Sequence, residues 1–274
     1  MTIIHIGILL GTGVFIGFAS GLLGVGGGFI MAPVQYFVFV DMGIPADNAI
    51  KLAFGTNLLV ILFNSLSGAW RHSKLGAVNW RAAVVMGISG MAFAYASATL
   101  ATRLPGEVLR IAFGVIVLLS AIRMLTAKTG ETVREPVANP WAWFAWAIPL
   151  GLISGMLGVG GGVVAVPIMV LALRFKIHNA VGTSLAMIIF NSVGGVIGYI
   201  VNGMDVQGLP AYSIGYVNLP SAFILIVSSF VMVQVGAVVA HRLPARRLRF
   251  IFVLLMFYIG LKMLGVFEWL GWPI

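Results

Sequence analysis

One block of sequence occurs twice in the chain, and this duplication limits the architectures that the chain can adopt. Residues 17–35 read GFASGLLGVGGGFIMAPVQ and residues 151–169 read GLISGMLGVGGGVVAVPIM, with ten of 19 positions identical at an offset of 134. A shorter segment, GTN at 55–57, recurs as GTS at 182–184 in the same order. We therefore predict two copies of one structural unit.

The charged residues are too few to cover a surface that faces water. The chain is 61% hydrophobic and only 8% charged, whereas a soluble domain carries about 25% charged residues. Lipid must therefore contact most of the outside. At about 20 residues per crossing, the 274 residues are enough for many membrane segments. The sequence predicts an all-α, polytopic membrane protein.

Apolar segments divide each unit into about five parts. In the first unit, residues 1–127, the segments run roughly over 2–23, 28–41, 48–70, 80–101 and 106–126. In the second unit, residues 141–274, they run roughly over 141–157, 162–173, 178–201, 217–240 and 247–266. Residues 128–140 are the most polar stretch and are predicted to link the units.

The glycine-rich stretches decide how the two units are oriented. If each GVGGG is a hairpin tip, one membrane face collects 12 of the 16 basic residues, as expected of a cytoplasmic face. If each only interrupts one crossing, the basic residues divide nine to seven, and the crossing is too long for a bilayer. We therefore predict helix-breaking hairpin tips and two inverted repeats. Fully spanning and re-entrant hairpins both stay open, although the short second arms favour re-entrant ones.

The hairpin tips are the first candidate binding site. A run of three glycines breaks a helix, and here each run precedes a new helix. Unpaired N–H groups and the positive dipole end of a helix attract anions, and inverted-repeat transporters use such ends. The alternative is that the glycines only allow close helix packing. The candidate residues are Gly26, Gly27, Gly28, Gly160, Gly161 and Gly162.

Polar side chains in the third segment of each unit are the second candidate. Positions 57 and 64, like 184 and 191, are seven residues apart and share a helix face. Hydroxyls and amides can bind an oxyanion without burying a charge, and interhelical hydrogen bonding is the alternative. A charge at the start of the segment could attract an anion into a vestibule, although an ordinary interfacial role is favoured. The candidates are Thr56, Asn57, Asn64, Thr183, Ser184 and Asn191, with Lys51 and His178 at the segment starts.

The residue types that the sequence lacks exclude several classes of function. The chain has no cysteine, which excludes disulfides and thiolate chemistry. All seven acidic residues lie in loops or at segment ends, whereas proton- or sodium-driven carriers usually keep an intramembrane carboxylate. No metal motif or catalytic constellation is recognisable, so neither an enzyme nor a cofactor is expected. The expected partners are the lipid bilayer and a small anion, not nucleic acid, and a homodimer is left open.

The doubled block resembles the sulfite exporter TauE/SafE family of membrane permeases. The similarity rests on SGLLGVGGGFIMAP at 20–33 and SGMLGVGGGVVAVP at 154–167, followed by FGTNL at 54–58 and VGTSL at 181–185. The resemblance implies a multi-pass inner-membrane permease linked to sulfur metabolism. Its implied substrates are sulfite, small organosulfonates or related organic anions, moved outward in the best-known cases.

The two halves differ at positions that could shape a pocket. Asn57 is matched by Ser184, and Gln35 by Met169, so the pocket is expected to be asymmetric. We expect a secondary permease that exports sulfite or a small organosulfonate. A gated anion channel and an import permease for a related sulfur-containing anion are the alternatives, ahead of a scaffold without transport and of an enzyme.

Overall fold

Helices dominate the computed structural model, which describes residues 1–24, 26–126, 137–240 and 245–269. The first unit contains α1 (Ile3–Leu23), α2 (Gly28–Asp41), α3 (Ala46–Lys74), α4 (Trp80–Arg103) and α5 (Gly106–Thr126). The second contains α6 (Pro140–Leu157), α7 (Gly162–Leu171), α8 (Ile177–Val201), β1 (Ser213–Ile214), β2 (Val217–Asn218), α9 (Leu219–Ala240), α10 (Ala245–Met263) and α11 (Val266–Trp269). The five predicted segments of each unit are confirmed as helices.

Two details differ from the predicted segments. The apolar segment predicted over 217–240 begins as a strand, because β1 and β2 pair antiparallel before α9 starts at Leu219. Of the predicted linker, residues 128–136 lie outside the described residues. At its other end α6 already begins at Pro140, since the Asn139 side chain caps the helix by accepting a hydrogen bond from the Trp141 N–H.

Membrane-length helices account for much of the chain. Six described helices are long and apolar enough to cross a bilayer: Ile3–Leu23, Ala46–Lys74, Trp80–Arg103, Pro140–Leu157, Ile177–Val201 and Leu219–Val239. Their outward surfaces carry exposed apolar side chains, such as Phe223 at 68% exposure and Val231 at 63%. A surface of this kind is suited to lipid, and the prediction of an all-α polytopic membrane protein is confirmed.

The helices α2 and α7 are shorter than a crossing. They contain 14 and 10 residues, which corresponds to about 21 Å and 15 Å of helix, against a hydrocarbon core about 30 Å thick. The hairpin of α1 and α2 is closed at its base, where His5 Nε2 lies 2.7 Å from an Asp41 carboxylate oxygen. The hairpin of α6 and α7 is closed by the Val137 N–H, which donates to Leu173 O at 3.0 Å.

The two units are interleaved rather than side by side. Helix α1 packs mainly against α9 of the other unit, and its counterpart α6 packs against α4. The third helices, α3 and α8, pack against each other, and so do the fifth, α5 and α10. Each of these contacts is therefore repeated by the equivalent helices, which gives the bundle an approximate twofold pattern.

Helices α3 and α8 lie antiparallel at the centre of the bundle. Gly68, near the end of α3, faces Leu185 in the first half of α8, whereas Gly55, near the start of α3, faces Tyr199 at the end of α8. Helices that are equivalent in sequence thus run in opposite directions. An inverted repeat requires this arrangement, and the orientation of the units in a membrane stays a prediction.

Candidate functional site

The two glycine tips meet at the centre of the molecule. A Cβ atom built on Gly26 would lie 3.2 Å from the Ile61 side chain and 3.9 Å from that of Ile188. One built on Gly160 would lie 2.8 Å and 3.0 Å from the same two side chains. Ile61 and Ile188 are fully buried on α3 and α8. Both tips therefore approach one buried location between the two antiparallel helices.

The tips have the same backbone conformation in both units. The φ angles are 75° and 77° at Gly26 and Gly27, and 69° and 77° at Gly160 and Gly161. Residues with side chains rarely adopt this left-handed region, so glycine is required here. Gly27 and Gly161 are the N-caps of α2 and α7, and neither supplies a side-chain hydrogen bond to the first turn. The positive ends of both helices thus point into the shared centre.

Asn57 and Ser184 hold the carbonyl ends of the helices that lead into the tips. Asn57 Nδ2 donates to Gly158 O, where α6 ends, and at 2.9 Å to Gly28 O at the start of α2. Ser184 Oγ, at the equivalent position, lies 2.9 Å from Gly24 O, where α1 ends. Each unit therefore uses its third helix to fasten the tip of the other unit.

Thr56 and Thr183 contact loops instead of the tips. Thr56 Oγ accepts a hydrogen bond from the Asn218 N–H at 2.8 Å, and Thr183 Oγ accepts one from the Asn79 N–H at 2.9 Å. Asn218 and Asn79 precede α9 and α4, which are equivalent helices. These two hydroxyls hold the starts of those helices, so the third-helix candidates separate into two groups.

Buried polar side chains on the helices around the tips lack hydrogen-bond partners among the described residues. Three pairs of them are equivalent positions of the two units, and all are at most 1% exposed. An unpaired buried polar group costs about 1–3 kcal/mol, so such a set requires a cause, and a bound polar ligand is one. The side chains are Ser20, Ser154, Asn64, Asn191, Ser65, Ser192, Gln35 and Asn57, the last only through Oδ1 and Asn64 only through Nδ2.

The two equivalent asparagines have different surroundings. Asn191 Nδ2 lies 3.8 Å from the position that a Cβ of Gly161 would take, so this amide belongs to the second tip. The Oδ1 atom of Asn191 lies directly against Gly90 of α4. The Oδ1 atom of Asn64 lies 2.7 Å from the hydroxyl of Ser229. Ser229 takes the place of Gly90 on the equivalent helix, since Gly17 packs on Ser229 as Gly151 packs on Gly90. The asymmetry expected from the sequence is thus present around these amides as well.

Lys51 and His178 lie near the starts of α3 and α8, away from the glycine tips. Lys51 is 6% exposed, and its Nζ is 2.7 Å from Asp47 one turn earlier in the helix. His178 is exposed at the start of α8. His178 is therefore exposed, whereas Lys51 is buried and paired with Asp47.

Ser20 and Ser154 are not among the candidates predicted from the sequence, and Gln35 is noted there only for its difference from Met169. Ser20 and Ser154 are identical positions of the doubled block, four residues before Gly24 and Gly158, the glycines that end α1 and α6. A Cβ on Gly27 or Gly161 would lie 3.5 Å from the Cβ of the nearby serine. Their repetition beside the tips was the available signal, whereas the difference between Gln35 and Met169 was the only signal for Gln35.

Membrane-length helices around a buried polar centre are typical of a multi-pass membrane permease. The chain belongs to the family described as Sulfite exporter TauE/SafE, which matches residues 9–263. The resemblance inferred from the doubled block is therefore confirmed.

The relatives found by sequence comparison are described as probable membrane transporter proteins. One from Methanocaldococcus jannaschii is 30% identical over 258 residues, covering 94% of both chains. One from Haemophilus influenzae is 27% identical over 251 residues, covering 92% of this chain and 95% of its own. No solved structure matches the chain. Family and relatives are transporters and not enzymes, and they support a multi-pass protein of the cell membrane.

Proposed function

We propose that this permease is a secondary transporter that carries a small oxyanion, sulfite or a small organosulfonate, out of the cell. The observation that supports this most is the meeting of two helix N-termini, at Gly27 and Gly161, in a buried centre lined by unpaired hydroxyls and amides. Helix N-termini attract negative charge, and the surrounding groups are suited to an anion with several oxygen acceptors.

The charges of the buried residues favour an anion over a cation. Among the described residues, the buried side chains include no carboxylate, and the single buried lysine, Lys51, is paired with Asp47. A cation at the tips would meet two positive helix ends and no negative partner. An oxyanion would instead receive hydrogen bonds that the protein leaves unused.

The closed centre supports a carrier in preference to an open channel. Ser20, Ser154, Asn64 and Asn191 are all at most 1% exposed, so a substrate reaches them only after the helices move. The antiparallel packing of α3 on α8 supports two inverted repeats, whose rocking would open the centre to each side in turn. Outward movement of an anion is favoured by an inside-negative potential, by about 2.3 kcal/mol per charge at 100 mV.

Purified protein in proteoliposomes tests the function. Uptake of sulfite, sulfoacetate, sulfate and chloride is compared with and without an imposed potential, in vesicles preloaded with the same anion or left empty. We expect saturable uptake of sulfite or sulfoacetate that is accelerated by preloading, as a carrier requires. Large currents without acceleration by preloading would favour the gated channel, and no uptake of any of these anions would refute the substrate class.

A further inference from the structure

Gln35 is a buried amide without a counterpart in the other half of the molecule. We propose that Gln35 and Lys51 form a second station for the transported anion, between the tips and the loop that joins α2 to α3. This inference rests on the proposed anion transport and adds a binding site outside the tips. The ligand is the same small oxyanion on its way to or from that face of the protein.

The fold places these two residues at the same depth. Helices α2 and α3 pack against each other and are joined by the short loop 42–45, so they run in opposite directions. The bond from Asn57 to Gly28 fixes their relative height at the tip. Gln35 lies seven residues beyond Gly28, and Lys51 lies six residues before Asn57. Both are thus about 9–11 Å from the tip, on the side of the loop.

The Gln35 side chain has no structural role that the described residues reveal. It is fully buried, and neither its Oε1 nor its Nε2 has a hydrogen-bond partner among them. Met169 occupies the equivalent position of the second unit, where it is also fully buried and packs in an apolar cluster. An apolar residue is therefore compatible with this position. Retaining a glutamine there needs a reason other than packing, and a passing polar ligand supplies one.

Lys51 provides the charge of the proposed station. Its ammonium group has three N–H donors, and a single hydrogen bond, to Asp47 Oδ2, is present within the described part of the chain. Asp47 also accepts a hydrogen bond from the Gly106 N–H at the start of α5, which fixes the carboxylate on one side of the lysine. The two remaining donors of Lys51 are the ones that the proposed station uses to bind the oxyanion.

The residues of the proposed station are not repeated at the equivalent positions of the second unit. The equivalent residues of the second unit are Met169 and His178, the first apolar and the second exposed. Since α3 and α8 are antiparallel, these residues lie toward the opposite face. At these equivalent positions the two faces of the transporter therefore present different surroundings to the anion, a glutamine and a lysine toward the loop 42–45 and a methionine and a histidine toward the other face.

The variant Gln35→Met tests this inference, because it installs the residue that the other unit uses. A hydrogen bond to a charged ligand contributes about 1.5–3 kcal/mol, so we expect the half-saturation concentration of sulfite to rise at least about tenfold. The rise is expected for sulfite supplied on the side of loop 42–45 in oriented proteoliposomes, with less than about a threefold change on the other side. The unfolding temperature in detergent is expected to equal or exceed that of the wild type.

Two further variants separate the outcomes. Met169→Gln, the matched control, is expected to lower the unfolding temperature without shifting either half-saturation concentration about tenfold. The double variant Asp47→Asn/Lys51→Gln removes both charges and is expected to reproduce the one-sided loss. Unchanged half-saturation in Gln35→Met, or a clear loss of its stability, would overturn the station while leaving the transport function intact. A wild type that moves none of the anions would overturn the proposed function and the station with it.

Discussion

The tight packing of the second tip on α3 makes the replacement of Gly158 by alanine a quantitative test of the fold. Gly158 ends α6 with a φ of 63°, where a side chain costs about 1–2 kcal/mol. An added Cβ would also lie 2.6 Å from both Cα and Cβ of Phe54 and 2.8 Å from its carbonyl oxygen. Because these are mostly backbone atoms, overpacking adds about 1–3 kcal/mol. From the backbone strain and the overpacking together, we expect Gly158→Ala to lower the free energy of unfolding by about 2–5 kcal/mol.

Two other glycines separate these contributions. Gly43 has a φ of 84° with nothing within 4 Å of an added Cβ, so Gly43→Ala should cost only the backbone strain of about 1–2 kcal/mol. Gly7 lies within α1 with the same free space and an ordinary φ. Alanine there should stabilise the helix by about 0.5–1 kcal/mol.

The stabilities of the three variants are compared by unfolding them in detergent, either by heat or by a graded denaturant. We expect Gly158→Ala to be the least stable variant, Gly43→Ala to be intermediate, and Gly7→Ala to be as stable as the wild type or more stable. A loss in Gly158→Ala no larger than that in Gly43→Ala would refute the close contact between the second tip and Phe54.

Two more predictions concern topology and the second tip. Single cysteines that replace Ser73, Ala245 and Asp205 are labelled with membrane-impermeant maleimides. We expect the cysteines at 73 and 245 to react from one face of the membrane and the cysteine at 205 to react from the other. Labelling of positions 245 and 205 from the same face would contradict the inverted repeat. In Gly90→Ala, the new Cβ should displace the flexible Asn191 amide and lower sulfite affinity by roughly tenfold with little loss of unfolding temperature, and wild-type affinity would remove Asn191 from the site.

Local features of the fold were predictable from the sequence. The glycine runs at 26–28 and 160–162 break helices because three consecutive glycines disfavour a helix. The lengths of the apolar segments predicted membrane helices. The pairing of β1 with β2 was not predictable, since two residues per strand are too few for an alternating pattern. The duplication predicted equivalent helices, but not that α1 and α6 would each pack against the other unit.

The contacts of the polar candidate residues could not be predicted from the periodicity of a single helix. It placed positions 57 and 64 on one face, but the partner of Thr56 is the Asn218 N–H, 162 residues away. Adjacent residues Thr56 and Asn57 thus face a loop and a tip, respectively, and only tertiary packing distinguishes them. The environment of Asn64 likewise depends on Ser229 of another helix. The sequence could not show the role of Gln35, because only the structure reveals that its buried amide has no hydrogen-bond partner among the described residues.

Sulfite uptake by a tip variant tests most directly whether the transported anion binds where the two glycine tips meet. The double variant Gly27→Val/Gly161→Val places side chains at both N-caps, whereas Gly11→Val adds one where nothing lies within 4 Å. All are compared with the wild type in proteoliposomes, using protein that elutes as a single folded species. We expect saturable sulfite uptake by the wild type and Gly11→Val, and loss of uptake in the folded double variant. Undiminished uptake by the double variant would contradict a site at the tips.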